Sequence, residues 1–239
     1  MSLRAPNTEI VEIDRAEIAV EPRSWQFAID RRDEIVRHFA RLTRQRSGIW
    51  NGRVLLMHRY AIAADRALRG ACFETDYASL CAWRDWDFPD RSVFNFFAAG
   101  ALCCADGAYL LGEMAPDTAG AGRLYFPCGT PEPDDVAAGG VVDLAENLRR
   151  ELAEETGLDS GEFEAQPGWT VIIDRCYVAL LKRLTAREPA AVLRARIMRH
   201  IAGETRPELV DIRIVRGADD LDPRMPRFVV AFLQRAWRR

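Results

Sequence analysis

Three glutamates in one short segment carry the clearest chemical signal in the sequence. Glu151, Glu154 and Glu155 are close in sequence, and on a helix they fall within an arc of roughly 100° and about 6 Å of axial rise. Carboxylates this close repel one another unless a positive charge lies among them. Hard divalent cations such as Mg2+ prefer oxygen ligands and commonly share them with substrate phosphates. The spacing therefore permits a cation site, although acidic clusters on helices are usually solvated faces.

Residues 143–158 predict the helix that would hold these acids. Asp143 is a favourable N-cap, and Glu146 stands three residues further on, where its carboxylate can reach back to the Asp143 amide. Gly157 stands where a left-handed C-terminal cap is usual. One apolar face for packing is formed by residues that recur every four positions: Leu144, Leu148 and Leu152.

The string Arg-Glu-Leu-Ala-Glu-Glu-Thr-Gly-Leu at residues 150–158 resembles the second half of the Nudix box, Arg-Glu-U-x-Glu-Glu-x-Gly-U, where U is apolar. The resemblance implies that Glu151, Glu154 and Glu155 bind Mg2+ (or Mn2+). It implies catalytic roles for Glu151, Glu155 and Arg150. The implied activity is hydrolysis of the diphosphate bond in a nucleoside diphosphate linked to another moiety.

The first half of the box departs from the family pattern. Val136 and Val142 occupy the positions of the usual glycine and glutamate. We interpret residues 136–142 as an insertion, so that Asp135 or Asp143 would stand where the first glutamate of the box normally stands.

A turn rich in proline and glycine precedes this insertion, at residues 126–135. Gly129 would let the backbone approach a ligand closely, which a side chain would prevent. The resemblance implies that this turn lies beside the catalytic helix and the diphosphate, so Gly129 is predicted to bind substrate. An ordinary turn is the alternative. Many family members recruit a further acid near a late strand, and the candidates for this general base are Glu204 and Glu208, either of which could equally be a surface charge.

Composition indicates an ordinary soluble globular protein, with 49% hydrophobic and 29% charged residues and a formal charge of −3 among 239 residues. Without a basic run, this charge argues against a nucleic-acid partner. No apolar run is long enough for a membrane span and no signal-peptide core begins the chain, so a cytoplasmic location is expected. Six cysteines without a C-x-x-C pair and three scattered histidines make a zinc site an unfavourable hypothesis.

The predicted fold class is α/β (α+β), a Nudix-type αβα sandwich with a mixed sheet. It would comprise a smaller N-terminal α/β region at residues 1–91 and a Nudix domain at residues 92–239. The N-terminal region could serve as a cap over the substrate or as an element of a homodimer. The order of regions resembles, weakly, the branch of the family that hydrolyses UDP-sugars to UMP and sugar 1-phosphate.

Hydrophobic periodicity predicts the other elements. Helices are expected at residues 24–43, 77–86, 188–202 and 228–237, and strands at residues 67–75, 96–104, 108–114 and 208–215, with one or two more at residues 169–184. An Asn51-Gly52 hairpin turn is also expected. Predicted inward-facing side chains on the helices are Trp25, Ile29, Val36, Phe39, Val192, Leu193, Ile197 and Ile201. The aromatic residues Trp83, Trp86 and Phe88 are more typical of a core than of a base-stacking surface.

Two other functions remain open at this stage. The chain could be a catalytically silent Nudix module that senses a nucleotide, or a diphosphatase for ADP-ribose or NADH. Alternatively, the helix could be structural, with its acids merely solvated.

Overall fold

The computed structural model describes residues 8–238. Its strands are β1 (Glu9–Ile13), β2 (Arg15–Val20), β3 (Arg53–Ile62), β4 (Ala67–Asp76), β5 (Asn95–Cys103), β6 (Tyr109–Met114), β7 (Leu124–Tyr125), β8 (Cys128–Gly129), β9 (Phe163–Ala165), β10 (Trp169–Asp174), β11 (Tyr177–Ala186) and β12 (Leu209–Val215). Its α-helices are α1 (Gln26–Asp30), α2 (Arg32–Gln45), α3 (Tyr77–Asp85), α4 (Leu144–Thr156), α5 (Ala190–Gly203) and α6 (Arg227–Ala236). Within this range, no helix is long and apolar enough to cross a membrane.

The larger sheet has the strand order β1-β10-β11-β5-β6-β12, with β7, β8 and β9 paired to its members. β11 and β5 run parallel, whereas β1 with β10, β10 with β11 and β6 with β12 are antiparallel. The predicted α+β class with a mixed sheet is therefore confirmed.

Helices cover both faces of this sheet, as the central strand β5 shows. Phe97 and Ala99 belong to the apolar core beneath α6, whereas Phe96 and Ala98 belong to the core beneath α4. Successive side chains of a strand point to opposite faces. Gly100 lets α4 approach the sheet, because a Cβ there would lie 3.3 Å from the Leu148 side chain. The acid-bearing helix is thus packed directly on the middle of the sheet.

The N-terminal region has its own three-stranded sheet, in the order β2-β4-β3. Its core contains Trp25 and Phe73 together with Trp83 and Phe88, which are both buried. The predicted core role of Trp83 and Phe88 is therefore confirmed, and the half-buried Trp86 packs at the edge of the same cluster.

Backbone pairing joins this region to the rest of the chain. β1 pairs with β10 at the edge of the larger sheet, so strand pairing crosses the proposed division at residue 91, which stays a proposal. The insertion at residues 136–142 is a small hairpin in which the Ala137 amide donates to the Val141 carbonyl. It pairs with β2 through hydrogen bonds from Val20 to Gly140 and from Val142 to Ile18, both 2.9 Å long.

The expected helix at residues 24–43 is wrong in its continuity and partly wrong in its inward face. The chain breaks at Arg31 into α1 and α2. Ala28 and Ile35, seven residues apart and therefore on one face, are buried, whereas Ile29 and Val36 each lie one position further along the chain and are exposed. On α5, Val192 is exposed as well, because the buried face follows Leu193, Ile197 and Ile201.

Asn51 and Gly52 do not form a hairpin turn. The hairpin joins β3 to β4 through residues 63–66, closed by a hydrogen bond from Ala63 to Ala67. The Asn51 side chain instead accepts a 2.8 Å hydrogen bond from the Ala78 amide, at the start of α3. Residues 169–184 contain two strands rather than one, and the other elements predicted above begin and end within two residues of their expected bounds.

Candidate active site

Helix α4 forms over the predicted residues, but Glu146 does not reach back to the Asp143 amide, because that amide donates to the Asp135 carbonyl and the Glu146 carboxylate pairs with Arg149. The Asp143 side chain accepts a 3.0 Å hydrogen bond from the Glu146 amide and caps the N-terminus. Gly157 ends the helix with a φ of 69°, the left-handed conformation that glycine adopts without strain. Burial of Leu148 and Leu152 fixes the rotation of the helix, and this rotation sets the direction of each glutamate.

The three glutamates of α4 have very different environments. Glu155 is buried, and its Oε2 has no hydrogen-bond partner among residues 8–238. Burial, reinforced by Glu208 and Glu151, raises the pKa of Glu155 well above its ordinary value. The Glu151 side chain is 15% exposed, whereas that of Glu154 is 60% exposed. Two of the three acids are thus desolvated, which excludes the simple solvated-face interpretation for them.

Glu151 should make the stability of the metal-free protein fall with rising pH. Burial raises its pKa from 4.5 to about 7; Glu154 and Glu208 act in the same direction and Arg150 opposes them. The folded state favours the protonated form, so roughly 3 kcal/mol of stability is lost between about pH 4.5 and about pH 7. We expect the free energy of unfolding, measured with denaturant in the absence of metal, to fall less over this interval in Glu151→Gln. Equal losses of unfolding free energy in the wild type and in Glu151→Gln would mean that other groups cause the pH dependence.

Arg150 is held in place by a buried acid. Its Nη2 lies 3.1 Å from Asp135 Oδ1, and its Nη1 lies 2.9 Å from Glu151. Asp135 also accepts hydrogen bonds from the Asn147 side chain, at 2.8 Å, and from the Glu132 amide. Asp135, rather than the exposed helix cap Asp143, is therefore the acid that contacts the arginine of the box. Sequence reasoning missed Asn147, although its helical position, three residues before Arg150, indicated a shared face.

Gly129 lies directly against the carboxyl group of Glu151. A Cβ at this position would overlap the carboxyl carbon and both oxygens of Glu151. The structure thus gives the glycine a role that the sequence did not predict, which is to leave room for a candidate ligand carboxylate. Gly129 also lines the adjoining cleft, and its predicted contact with substrate stays a prediction.

Replacing Gly129 by alanine should therefore move the Glu151 carboxylate. We expect Gly129→Ala to lower kcat/KM by about 10- to 100-fold, the loss typical when groups that orient a metal ligand are changed. Gly139→Ala is the matched control, because a Cβ at Gly139 meets nothing within 4 Å. Steady-state kinetics and thermal unfolding of both variants give the comparison. Unchanged kinetics in Gly129→Ala would mean that the position of Glu151 is not critical.

The structure separates the two candidates for an additional acid. Glu208 lines the cleft and is close enough to raise the pKa of both Glu151 and Glu155. Glu204 forms an ion pair with His200, 3.5 Å away, and does not line the cleft. Partial desolvation, together with Glu154 and Glu204, raises the pKa of Glu208. Glu208 is thus the acid that joins the cluster.

The residues of this cluster fit a hard divalent cation in their chemistry. All donors are carboxylate oxygens, and the buried Oε2 of Glu155 lacks a partner. A cation would relieve the mutual repulsion that raises the pKa values of Glu151 and Glu155. Within residues 8–238, no three His, Cys, Asp or Glu side chains are arranged as a preformed metal site, so binding would require side-chain adjustment.

A cleft of about 1320 Å³ begins at Gly129 and Glu151. Its lining comes from both regions of the chain and includes Tyr77 of α3 together with Tyr125 and Tyr177. Ligand pockets typically enclose ~300–1,000 Å³, so the cleft can hold a ligand that extends well beyond a diphosphate. The sequence did not predict these tyrosines, because they are brought together only by the packing of α3 against the larger sheet.

Comparisons with known proteins give structural likenesses only. No protein-family model matches the chain, and no curated protein is similar to it. A Nudix hydrolase from M. smegmatis, RenU, is 19% identical, with 61% of this chain and 87% of that chain covered and a TM-score of 0.39. The MutT protein from Methanosarcina mazei Go1 is 16% identical, with 61% and 94% covered and a TM-score of 0.41. The C-terminal domain of mouse MUTYH, in complex with human PCNA, is 15% identical, with 60% and 86% covered and a TM-score of 0.35.

Proposed function

We propose that the protein is a Mg2+- or Mn2+-dependent Nudix-type hydrolase that cleaves the diphosphate bond of a nucleoside diphosphate linked to another moiety. The observation that carries this proposal is the placement of Glu151 and Glu155. Both are desolvated and both have raised pKa values, and Glu151 lines a large cleft directly beside Gly129. On a solvated surface helix, the acids would be exposed to water instead of desolvated.

The proposed roles of the side chains follow from their surroundings. Glu151, Glu154 and Glu155 would hold the cation, which supplies charge neutralisation for the phosphate oxygens and activation of water. Asp135 holds Arg150, and Arg150 in turn contacts Glu151, so this chain of contacts orients a ligand carboxylate. Glu208 is the candidate general base, because it is exposed at the cleft and has a raised pKa.

Several substrates share this chemistry. UDP-sugars remain the first candidates, with UMP and a sugar 1-phosphate as products, on the basis of the sequence layout. ADP-ribose and NADH are the alternatives. We further propose that the protein acts in the cytoplasm and that its N-terminal region covers the substrate, since α3 supplies part of the cleft wall.

Product analysis tests the proposed activity directly. The protein would be incubated with Mg2+, and separately with Mn2+, and with UDP-glucose, ADP-ribose, NADH, diadenosine polyphosphates and nucleoside triphosphates. Cleavage at the diphosphate of one compound class, lost on chelation, supports the proposal and names the class. No turnover of any compound with either metal would reject hydrolysis, and the silent nucleotide-sensing module would become the better hypothesis.

A further inference from the structure

The cleft contains more positive charge than one diphosphate at the acidic end requires. Its lining includes arginines that are already occupied by the protein itself. Arg175 pairs with Asp87 and Arg227 with Asp174, while Arg46 donates to the Ala119 carbonyl. Arg206 is exposed beside Glu208, at the acidic end of the cleft.

Arg84 and Arg123 differ from these four arginines. The Arg84 side chain is only 26% exposed, and within residues 8–238 its hydrogen bonding is confined to one 3.1 Å contact from Nε to Asp85. Its two terminal nitrogens are thus available to a ligand in the cleft. Arg123 is exposed and also lines the cleft, and its side chain forms no hydrogen bond or ion pair within the described residues.

Arg84, Arg123 and Tyr177 all line this cleft. Burial raises the pKa of Tyr177, and the positive charges of Arg84 and Arg123 both oppose that rise. The negative charge of Asp85 is shared, because its other oxygen lies 2.9 Å from His38 Nε2. A region with net positive charge therefore surrounds the Tyr177 hydroxyl.

The acids Glu151 and Glu208 line the same cleft as these arginines. Tyr77 and Tyr125 line it as well. A ligand that spans the acids and the arginines would place its diphosphate at Glu151 and a distant group at Tyr177.

We infer that Arg84, Arg123 and the Tyr177 hydroxyl form a subsite for a second anionic group, a phosphate or carboxylate carried by the substrate outside its bridging diphosphate. Planar guanidinium groups recognise such anions with two parallel hydrogen bonds. The inference rests on the proposed function because it treats the bound molecule as a substrate. Anion binding at this subsite, however, can be measured without turnover. It selects, among nucleoside diphosphate derivatives, those with an additional negative charge at the far end.

Matched pairs of substrates test the subsite and distinguish the two anions. UDP-glucuronate against UDP-glucose adds a carboxylate, whereas NADPH against NADH and coenzyme A against its 3′-dephospho form each add a phosphate. We expect the wild type to prefer the charged member of at least one pair by tenfold or more in kcat/KM. Arg123→Gln and Arg84→Lys should each reduce that preference, through a rise in KM for the charged member.

A second measurement does not depend on catalysis. Inorganic phosphate at ten times its dissociation constant should raise the Tm of the metal-free wild type by about 3 °C, and the Arg84→Gln/Arg123→Gln double variant should lose this rise. Arg199→Gln, at an exposed site on α5 outside the cleft, is the control and should retain it.

The outcomes separate the two proposals. Equal phosphate stabilisation of wild type and double variant, or an unchanged preference within every substrate pair, overturns the subsite while hydrolysis stands. Absence of any turnover rejects the proposed function, and the phosphate titration then still decides whether Arg84 and Arg123 bind an anion.

Discussion

Replacing Glu155 by glutamine is expected to lower kcat by about 10³-fold or more and, at neutral pH, to stabilise the metal-free protein. The loss of rate is expected because the buried carboxylate, with its unpartnered Oε2, would supply charge to the cation that neutralises the diphosphate. The gain in stability is expected because the folded state disfavours the charged form of this group, whose pKa is raised by burial. Few substitutions move activity and stability in opposite directions to this extent.

Steady-state kinetics and thermal unfolding with and without Mg2+ provide the measurements. The wild type should gain Tm on addition of Mg2+, whereas Glu155→Gln should gain little, because ligands stabilise the state that binds them. Glu146→Gln is the control, since this exposed glutamate of the same helix pairs with Arg149. Comparable turnover by wild type and Glu155→Gln would remove Glu155 from the proposed site.

The Asp135→Asn variant should lose both stability and activity. Asp135 is buried and accepts hydrogen bonds from Arg150, Asn147 and the Glu132 amide. An asparagine would direct an amide donor at groups that are themselves donors. We expect a loss of about 2 kcal/mol in the free energy of unfolding and a 10- to 100-fold fall in kcat/KM, because Arg150 would no longer hold Glu151 in place.

Asp143→Asn is the matched comparison, because Asp143 is the other acid that could stand at the first glutamate of the box. Asparagine is an equally good helix N-cap, so this variant should change stability by less than about 0.5 kcal/mol. Denaturant unfolding and kinetics of the two variants decide between the acids. A larger effect on kcat/KM from Asp143→Asn than from Asp135→Asn would reverse the assignment.

Helix α4 and its acids could be predicted from the sequence because the information is local. The leucine spacing, the cap at Asp143 and the glycine at 157 specify the helix and the face that it packs against the rest of the protein. Most strands could be predicted for the same reason, since alternation and turns are properties of neighbouring residues. The burial of Glu155 could not be predicted from the sequence, because it depends on the sheet and on the turn at Cys128 and Gly129.

Features that depend on contacts between distant parts of the chain could not be predicted from the sequence. The buried face of α1 and α2 follows Ala28 and Ile35 and leaves Ile29 and Val36 exposed, and no residue type at Arg31 marks the break between the two helices in advance. Asn51 would suit a hairpin turn, yet its side chain is used at the start of α3, since tertiary contacts override local turn preference. The grouping of Arg84 with Tyr177 requires α3 to pack near β11, which periodicity alone does not predict.

The pairing of β1 with β10 sets an order of events during synthesis. Ile10 lies opposite Ile172, so the first described strand leaves the ribosome long before its partner exists. Until residues 169–174 emerge, β1 has no place in the larger sheet, and closing so long a loop slows folding. The nascent N-terminal region therefore carries a strand whose apolar residues Ile10, Val11 and Ile13 have no partner strand until the second half of the chain is made.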